Sequence, residues 1–208
     1  LSFQKGISQK KQMQWGIQMG VTGTASAAEW MQNTYHRMAL GLRELTWVDE
    51  VPQAFHINVF ADSFKRWELM NKVALQSHVF ATVGTQKIIG GAALGFVLNN
   101  QTVPARGGNI LLDQQQGYGF YLGGRLQLVA HDYMLSGSLF NDKAPFTLPS
   151  KPFRTTLEAG YALRKNQWRI AFTYHNRSPD NTVQPQEGHH YLNITLSRFF
   201  DRLTPNKN

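Results

Sequence analysis

Tyr118-Gly119-Phe120-Tyr121-Leu122-Gly123-Gly124-Arg125-Leu126-Gln127-Leu128-Val129-Ala130-His131 is the stretch that decides the fold. Tyr118, Phe120, Leu122, Leu126 and Leu128 fall on one parity, and Tyr121, Arg125, Gln127 and His131 fall on the other. Successive side chains of a strand point to opposite faces, so a strand here has one greasy face and one wet one. The alternation also lasts for the roughly nine to eleven residues that a tilted strand needs to cross a bilayer.

The same period recurs on both sides. Upstream, Trp15, Ile17, Met19 and Val21 alternate with Gln14, Gly16, Gln18 and Gly20, and Phe55, Ile57 and Val59 alternate with His56 and Asn58. A polar turn is expected from Asp62 to Arg66, followed by a long run from Trp67 to near Thr82 in which Leu69, Val73, Leu75 and Val79 share parity. Gly84 and Thr85 turn the chain into Ile88 to Leu98, where Leu94, Phe96 and Leu98 oppose Gly91, Ala93 and Gly95, small residues that suit a crowded interior. Residues 99–116, with Pro104, Gly107 and Gly108, read as a loop. Downstream, Phe153, Leu157, Ala159, Tyr161 and Leu163 oppose Arg154, Thr156, Glu158 and Arg164, and Lys165-Asn166 forms a tight turn. Trp168, Ile170, Phe172 and Tyr174 then oppose Arg169, Thr173 and His175; a polar loop through Pro179 and Gly188 leads to Leu192, Ile194 and Leu196 opposite Asn193, Thr195 and Ser197. Together these make about eight strands joined as a meander, with aromatics at the strand ends as in interface girdles. There is no repeat unit and no domain linker.

A soluble lipocalin-like barrel has this period with its oily face turned inward, and a transmembrane barrel has it with the oily face turned out. Arg125, Arg154, Glu158, Arg164 and Arg169 share the face opposite the apolar one, which favours a wet lumen and a lipid-facing exterior. Composition agrees. Only 16% of residues are charged, 12% are aromatic, and no continuous apolar run is long enough for a membrane-spanning helix. Mean hydropathy is -0.36, as expected when lipid-facing and lumen-facing residues alternate. The formal charge of +8 points to an anionic partner. No Lys/Arg block is interleaved with stacking aromatics, which argues for phosphate on a lipid headgroup over nucleic acid. With zero cysteines the chain has neither a disulfide framework nor thiolate metal sites. It begins at Leu1 without an initiating Met or a signal peptide, although a barrel needs export, and so reads as a fragment or a processed form. If the last strand descends to the periplasm, the Lys165-Asn166 turn is periplasmic and residues 23–51, 131–152 and 178–188 lie outside.

One segment breaks the period of two. Ser26 and Glu29 have the spacing of a capping box, so a helix is expected to start near Ser26. Met31, Tyr35, Met38 and Leu42 then fall on one stripe that calls for burial, and Gln32, Asn33 and His36 share a neighbouring polar face. Histidine is suited to take and return a proton near neutral pH, and amides three and four residues earlier can orient its ring or a water. A solvated helix face accounts for the same residues. His131, Asp132, His175, His189 and His190 match no common ligand spacing and are read as rim or turn residues.

The run Gly20-Val21-Thr22-Gly23, the motif Gln32-Asn33-x-x-His36-Arg37 and the pair Trp47-x-Asp49 resemble the LpxR family of outer-membrane lipid A 3'-O-deacylases. Val83-Gly84-Thr85 with Gly90 to Leu98, the segment from Leu135 to Asp142, Leu157-Glu158-Ala159-Gly160 and Trp168 to Ser178 extend the resemblance over nearly the whole chain. The resemblance implies a barrel of about twelve strands with about four absent in front of Leu1. Residues 1–200 would be the C-terminal two-thirds of that barrel, 22–51 the helical active-site loop facing the extracellular side, and 201–208 a C-terminal tail. It further implies a monomeric outer-membrane enzyme that hydrolyses the 3'-linked acyl esters of lipid A, the glycolipid of lipopolysaccharide, with calcium as cofactor and oxyanion stabiliser. By the same match His36 is the general base, with Gln32 and Asn33 supporting it. The family's Asn-Asp pair and its hydroxyl and lysine site positions would lie in the absent strands, so the main metal ligands are expected there; Glu44 is a weak candidate, and Asp49 serves loop packing equally well. The fragment alone is expected to be inactive, with two unpaired sheet edges. The competing expectation is a non-enzymatic barrel, a pore or a structural protein, in which the helix is a plug.

Overall fold

The alternation of chemistry becomes an alternation of burial. In the computed structural model, which describes residues 2–8, 11–43, 51–99, 116–184 and 188–198, nine strands form one antiparallel meander sheet in chain order. They are β1 (Ser2–Ser8), β2 (Lys11–Thr22), β3 (Ala54–Met70), β4 (Val73–Gly84), β5 (Lys87–Leu98), β6 (Gly117–Asp132), β7 (Phe153–Lys165), β8 (Trp168–Arg177) and β9 (His189–Arg198). In β6, Tyr121 is 5% exposed and its neighbour Leu122 is 65% exposed. In β3, His56, Asn58, Phe60, Asp62, Phe64 and Arg66 are buried, while Phe55, Ile57 and Val59 are exposed. The polar parity is the sheltered one and the oily parity is bare, the reverse of a soluble barrel and the pattern of a wall facing hydrocarbon. The chain is therefore an all-β transmembrane barrel wall, and the lipocalin-like arrangement is excluded.

Two details differ from the sequence reading. No turn lies between Asp62 and Arg66; β3 runs unbroken for 17 residues to Met70, and the chain reverses at Asn71 and Lys72, the latter with φ 64°. The polar cluster that resembles a turn is lumen chemistry. Asp62 Oδ1 lies 2.7 Å from His78 Nε2, and Arg66 Nε lies 2.7 Å from Glu68 Oε1. The second difference is β1, which pairs with β2 from Ser2↔Gly16 to Ser8↔Lys11. Its seven residues place Lys5 between Phe3 and Ile7 on the same parity, which hides the alternation.

Inside the curl, bulky rings sit over glycines. A Cβ on Gly91 would stand 2.6 Å from Phe80 Cζ, and one on Gly95 would stand 2.5 Å from Tyr121 Cε2. Gly124, on the outward parity, has nothing nearer than Leu157 Cδ2 at 3.7 Å. Gly95→Val is therefore expected to cost about 1–3 kcal/mol through overpacking, while Gly124→Val is close to neutral. Urea titration of tryptophan fluorescence in detergent micelles measures both; equal midpoints would contradict this packing.

The meander also sorts the connections. The segment after β2, the Thr85-Gln86 turn, the segment after β6 and the segment after β8 all fall at one rim, and the β3–β4 and β7–β8 turns fall at the other. The helical segment is at the first rim, with its neighbours from β4, β6 and β8.

Candidate active site at the barrel rim

The helix departs from β2 through a tight corner. Gly23 has φ 73°, and a Cβ there would stand 2.7 Å from both Cα and N of Gln53, so only glycine lets the outgoing and returning chains pass. A 3₁₀ turn at Thr24–Ser26 precedes α1 (Ala28–Tyr35). The capping box is not formed: Ala27, at φ 55°, occupies the N-cap position and no side chain caps the helix. Ser26 Oγ instead donates to Gly23 O at 2.6 Å and accepts from Ala28 N–H at 3.3 Å, closing the corner rather than the helix.

From His36 to Leu40 the helix widens into a π-helical turn that ends at Gly41, φ 61°. Such widenings are uncommon and concentrate at functional sites. Ala28, Gln32, Asn33, Thr34 and His36 are half-buried, whereas Trp30, Met31, Tyr35 and Met38 are exposed. The structure thus gathers Gln32, Asn33 and His36 on the sheltered face. The stripe expected to be buried is bare: Met31 is 59% and Met38 79% exposed. His36 Nδ1 is shielded from solvent and has no hydrogen-bond partner among the described residues, a state it shares with other buried polar atoms such as His131 Nε2.

Residues that sequence reasoning left aside anchor this loop. Thr22 Oγ1 donates to Pro52 O at 3.0 Å, Tyr133 Oη donates to the same oxygen at 3.1 Å, and Thr24 Oγ1 donates to Gln53 Oε1 at 3.0 Å. His56, 2% exposed, holds Nε2 3.1 Å from Thr22 Oγ1 and lies edge-on to Tyr133, ring centres 4.4 Å apart. Tyr133 opens the single turn α2 (Tyr133–Ser136), so the β6 connection clamps the base of the helical loop. Pro52 just ahead of a strand, and a tyrosine just after one, were the available signals.

Between this corner and the wall is a cleft of about 340 Å³, lined mainly by Val21, Ala27, Ala28, Trp30, Val51 and Met134. Val21, on the outward parity of β2, lines the cleft on the wall side, and Thr22, of the inward parity, closes its base. Glu44, Trp47 and Asp49 lie outside the described residues. The calcium implied by the resemblance finds no cage here: among the described residues no three His, Asp or Glu side chains converge, so no step is routed through it. The other histidines serve separate neighbours. His175 Nδ1 is 3.4 Å from Glu158, His189 Nε2 is 3.8 Å from Asp180, and His190 Nδ1 is 3.0 Å from Tyr174 Oη.

Fold and rim define a class, a membrane-spanning β-barrel wall with a histidine-bearing helix folded over one edge. The chain belongs to the LpxR family: the family described as "Outer membrane protein LpxR" matches residues 3–200. It is an outer-membrane protein by that membership. Its fold is similar to that of LpxR from Salmonella typhimurium, with a TM-score of 0.76 at 16% identity, covering 96% of this chain and 71% of that one. No curated protein matches the chain at a significant level.

Proposed function

We propose that this protein is an ester hydrolase that removes 3'-linked acyl chains from lipid A, with the helix-bearing rim on the extracellular side. One observation carries the reading: a histidine on the sheltered polar face of a rim helix, its buried Nδ1 without a hydrogen-bond partner among the described residues, on the same helix whose first turn lines an apolar cleft at the membrane wall. An imidazole so placed takes a proton from water as the water oxygen attacks the ester carbonyl carbon. It then returns that proton to the departing sugar oxygen, giving a free fatty acid and a hydroxyl. Gln32, one turn earlier, and Asn33 support the ring and the water. Ala28 is about 12 Å along the helix axis from His36, so an acyl tail whose carbonyl stands at His36 has the apolar cleft within reach.

The oxyanion donors, and any calcium that assists them, are assigned to groups other than the described residues. The sheltered lumen carries Arg125 paired with Glu158 at 2.9 Å, which supports a cross-braced interior more than an open pore. Mass spectra of lipid A from cells making the full-length protein, compared with cells lacking it, are expected to show loss of the 3'-linked acyl mass. Identical spectra would return the protein to the non-enzymatic barrels.

A further inference from the structure

The helix is inside out. A helix lying on a soluble protein buries its apolar stripe and wets its polar face. Here Gln32, Asn33 and His36 are half-buried, with Ala28 and Thr34, while Trp30 is 68%, Met31 59%, Tyr35 58% and Met38 79% exposed, as is Leu42, just past the helix end, at 55%; of the charged residues Glu29 and Arg37 are exposed as well. The wall below is inverted in the same sense: Trp15, Ile17, Met19 and Val21 of β2 are exposed and lead directly to the corner at Gly23. The cleft joins the two surfaces, since Val21 of the wall and Trp30 of the helix both line it. The apolar surface of the wall therefore meets that of the helix at this cleft, whose rim also carries Thr22, Thr24, Ser26 and Glu29.

We propose that the stripe Trp30, Met31, Tyr35, Met38 and Leu42 is seated in the hydrocarbon of the leaflet that this rim meets, so that the helix lies in the membrane interface with its polar face toward the wall. The occupant is bilayer acyl chain. An amphipathic helix lying in the interface buries its apolar face to the headgroup–acyl boundary, with Trp and Tyr favoured at that depth. The consequence is positional: His36 approaches its ester from within the lipid layer.

These 208 residues contain no cysteine, so each single reporter is unique within them, and any cysteine elsewhere in the full-length protein is first replaced by serine. An environment-sensitive fluorophore is attached to full-length protein carrying Met38→Cys or Trp30→Cys and reconstituted in phosphatidylcholine vesicles. Leu122→Cys on the exposed wall and Lys143→Cys in an exposed loop serve as references. The helix probes are expected to follow Leu122, with strong quenching by nitroxides on lipid chains and several-fold weaker quenching by aqueous iodide than at Lys143. Iodide quenching equal to that at Lys143 overturns the proposal. Protection from both quenchers overturns it too, because the stripe is then covered by protein. Normal behaviour at Leu122 verifies insertion of the barrel. All variants keep His36, so a water-facing helix and a lack of hydrolysis are separate results.

Discussion

Replacing His36 by alanine is expected to leave the barrel folded and to reduce acyl removal from lipid A by about 10²–10⁴-fold, the usual contribution of a general base. Folding should survive because the side chain makes no hydrogen bond within the described residues; its Nδ1 is buried without a partner. His36→Gln keeps an amide able to orient a water but unable to take its proton, so it should fall with alanine. Added imidazole should restore part of the activity of the alanine variant and none of the glutamine variant, whose side chain still fills the site. Gln32→Ala, removing a supporting amide, should cost far less than His36→Ala. Release of labelled fatty acid from lipid A in detergent micelles measures all of these. Full activity in His36→Ala would remove imidazole from the chemistry, and a polar helix face would be all that remained of the motif.

The wall was readable from residues because a strand in a membrane has no freedom in its period. Each side chain faces either hydrocarbon or lumen, and Leu122 beside Tyr121 states that choice at single-residue resolution. Reading failed where lumen chemistry imitates loop chemistry. Asp62 looks like part of a turn until His78 is brought beside it from the neighbouring strand, which no local pattern reports; Arg66 pairs with Glu68 two residues along its own strand, a spacing that a turn would also allow. The helix was legible in place and composition, and wrong in orientation. Burying Met31 and Met38 is correct for a helix in water, and their exposure accords with the proposal that the medium on that side is lipid. The capping box failed for a related reason. Ser26 is needed for the Gly23 corner, whose geometry is set by the return of the chain at Gln53, far along the sequence. The Thr22, His56, Tyr133 and Pro52 clamp was invisible because its members come from separate strands and loops.

Arg154→Met is expected to destabilise the folded barrel by about 3–5 kcal/mol, the cost of leaving a buried charge without its partner. Arg154 is 3% exposed; its Nη1 is 2.9 Å from Asp132 Oδ2 and 3.2 Å from Asp180 Oδ1, and its Nη2 donates to Ser150 Oγ at 2.8 Å. Asp132 ends β6, while Ser150 and Asp180 belong to the connections after β6 and after β8, which also exchange backbone hydrogen bonds from Lys151 N–H to Asp180 O at 2.9 Å and from Thr182 N–H to Pro149 O at 3.1 Å. Removing the guanidinium leaves Asp132, 7% exposed, facing the sheltered interior alone, whereas Asp180 retains Arg177 at 2.6 Å. The penalty therefore centres on Asp132, and Arg154→Met combined with Asp132→Asn should recover most of the loss. Arg154→Lys should fall between, because an ammonium cannot span Asp132 and Ser150 as a fork does. Urea midpoints in detergent rank the set, and equal destabilisation in the single and double variants would contradict a charge origin. Asp132 directly precedes Tyr133, whose hydroxyl holds Pro52 at the base of the helical loop. A variant that loosens Asp132 should then loosen the helix as well, and acyl removal should fall in Arg154→Met and return with the second substitution.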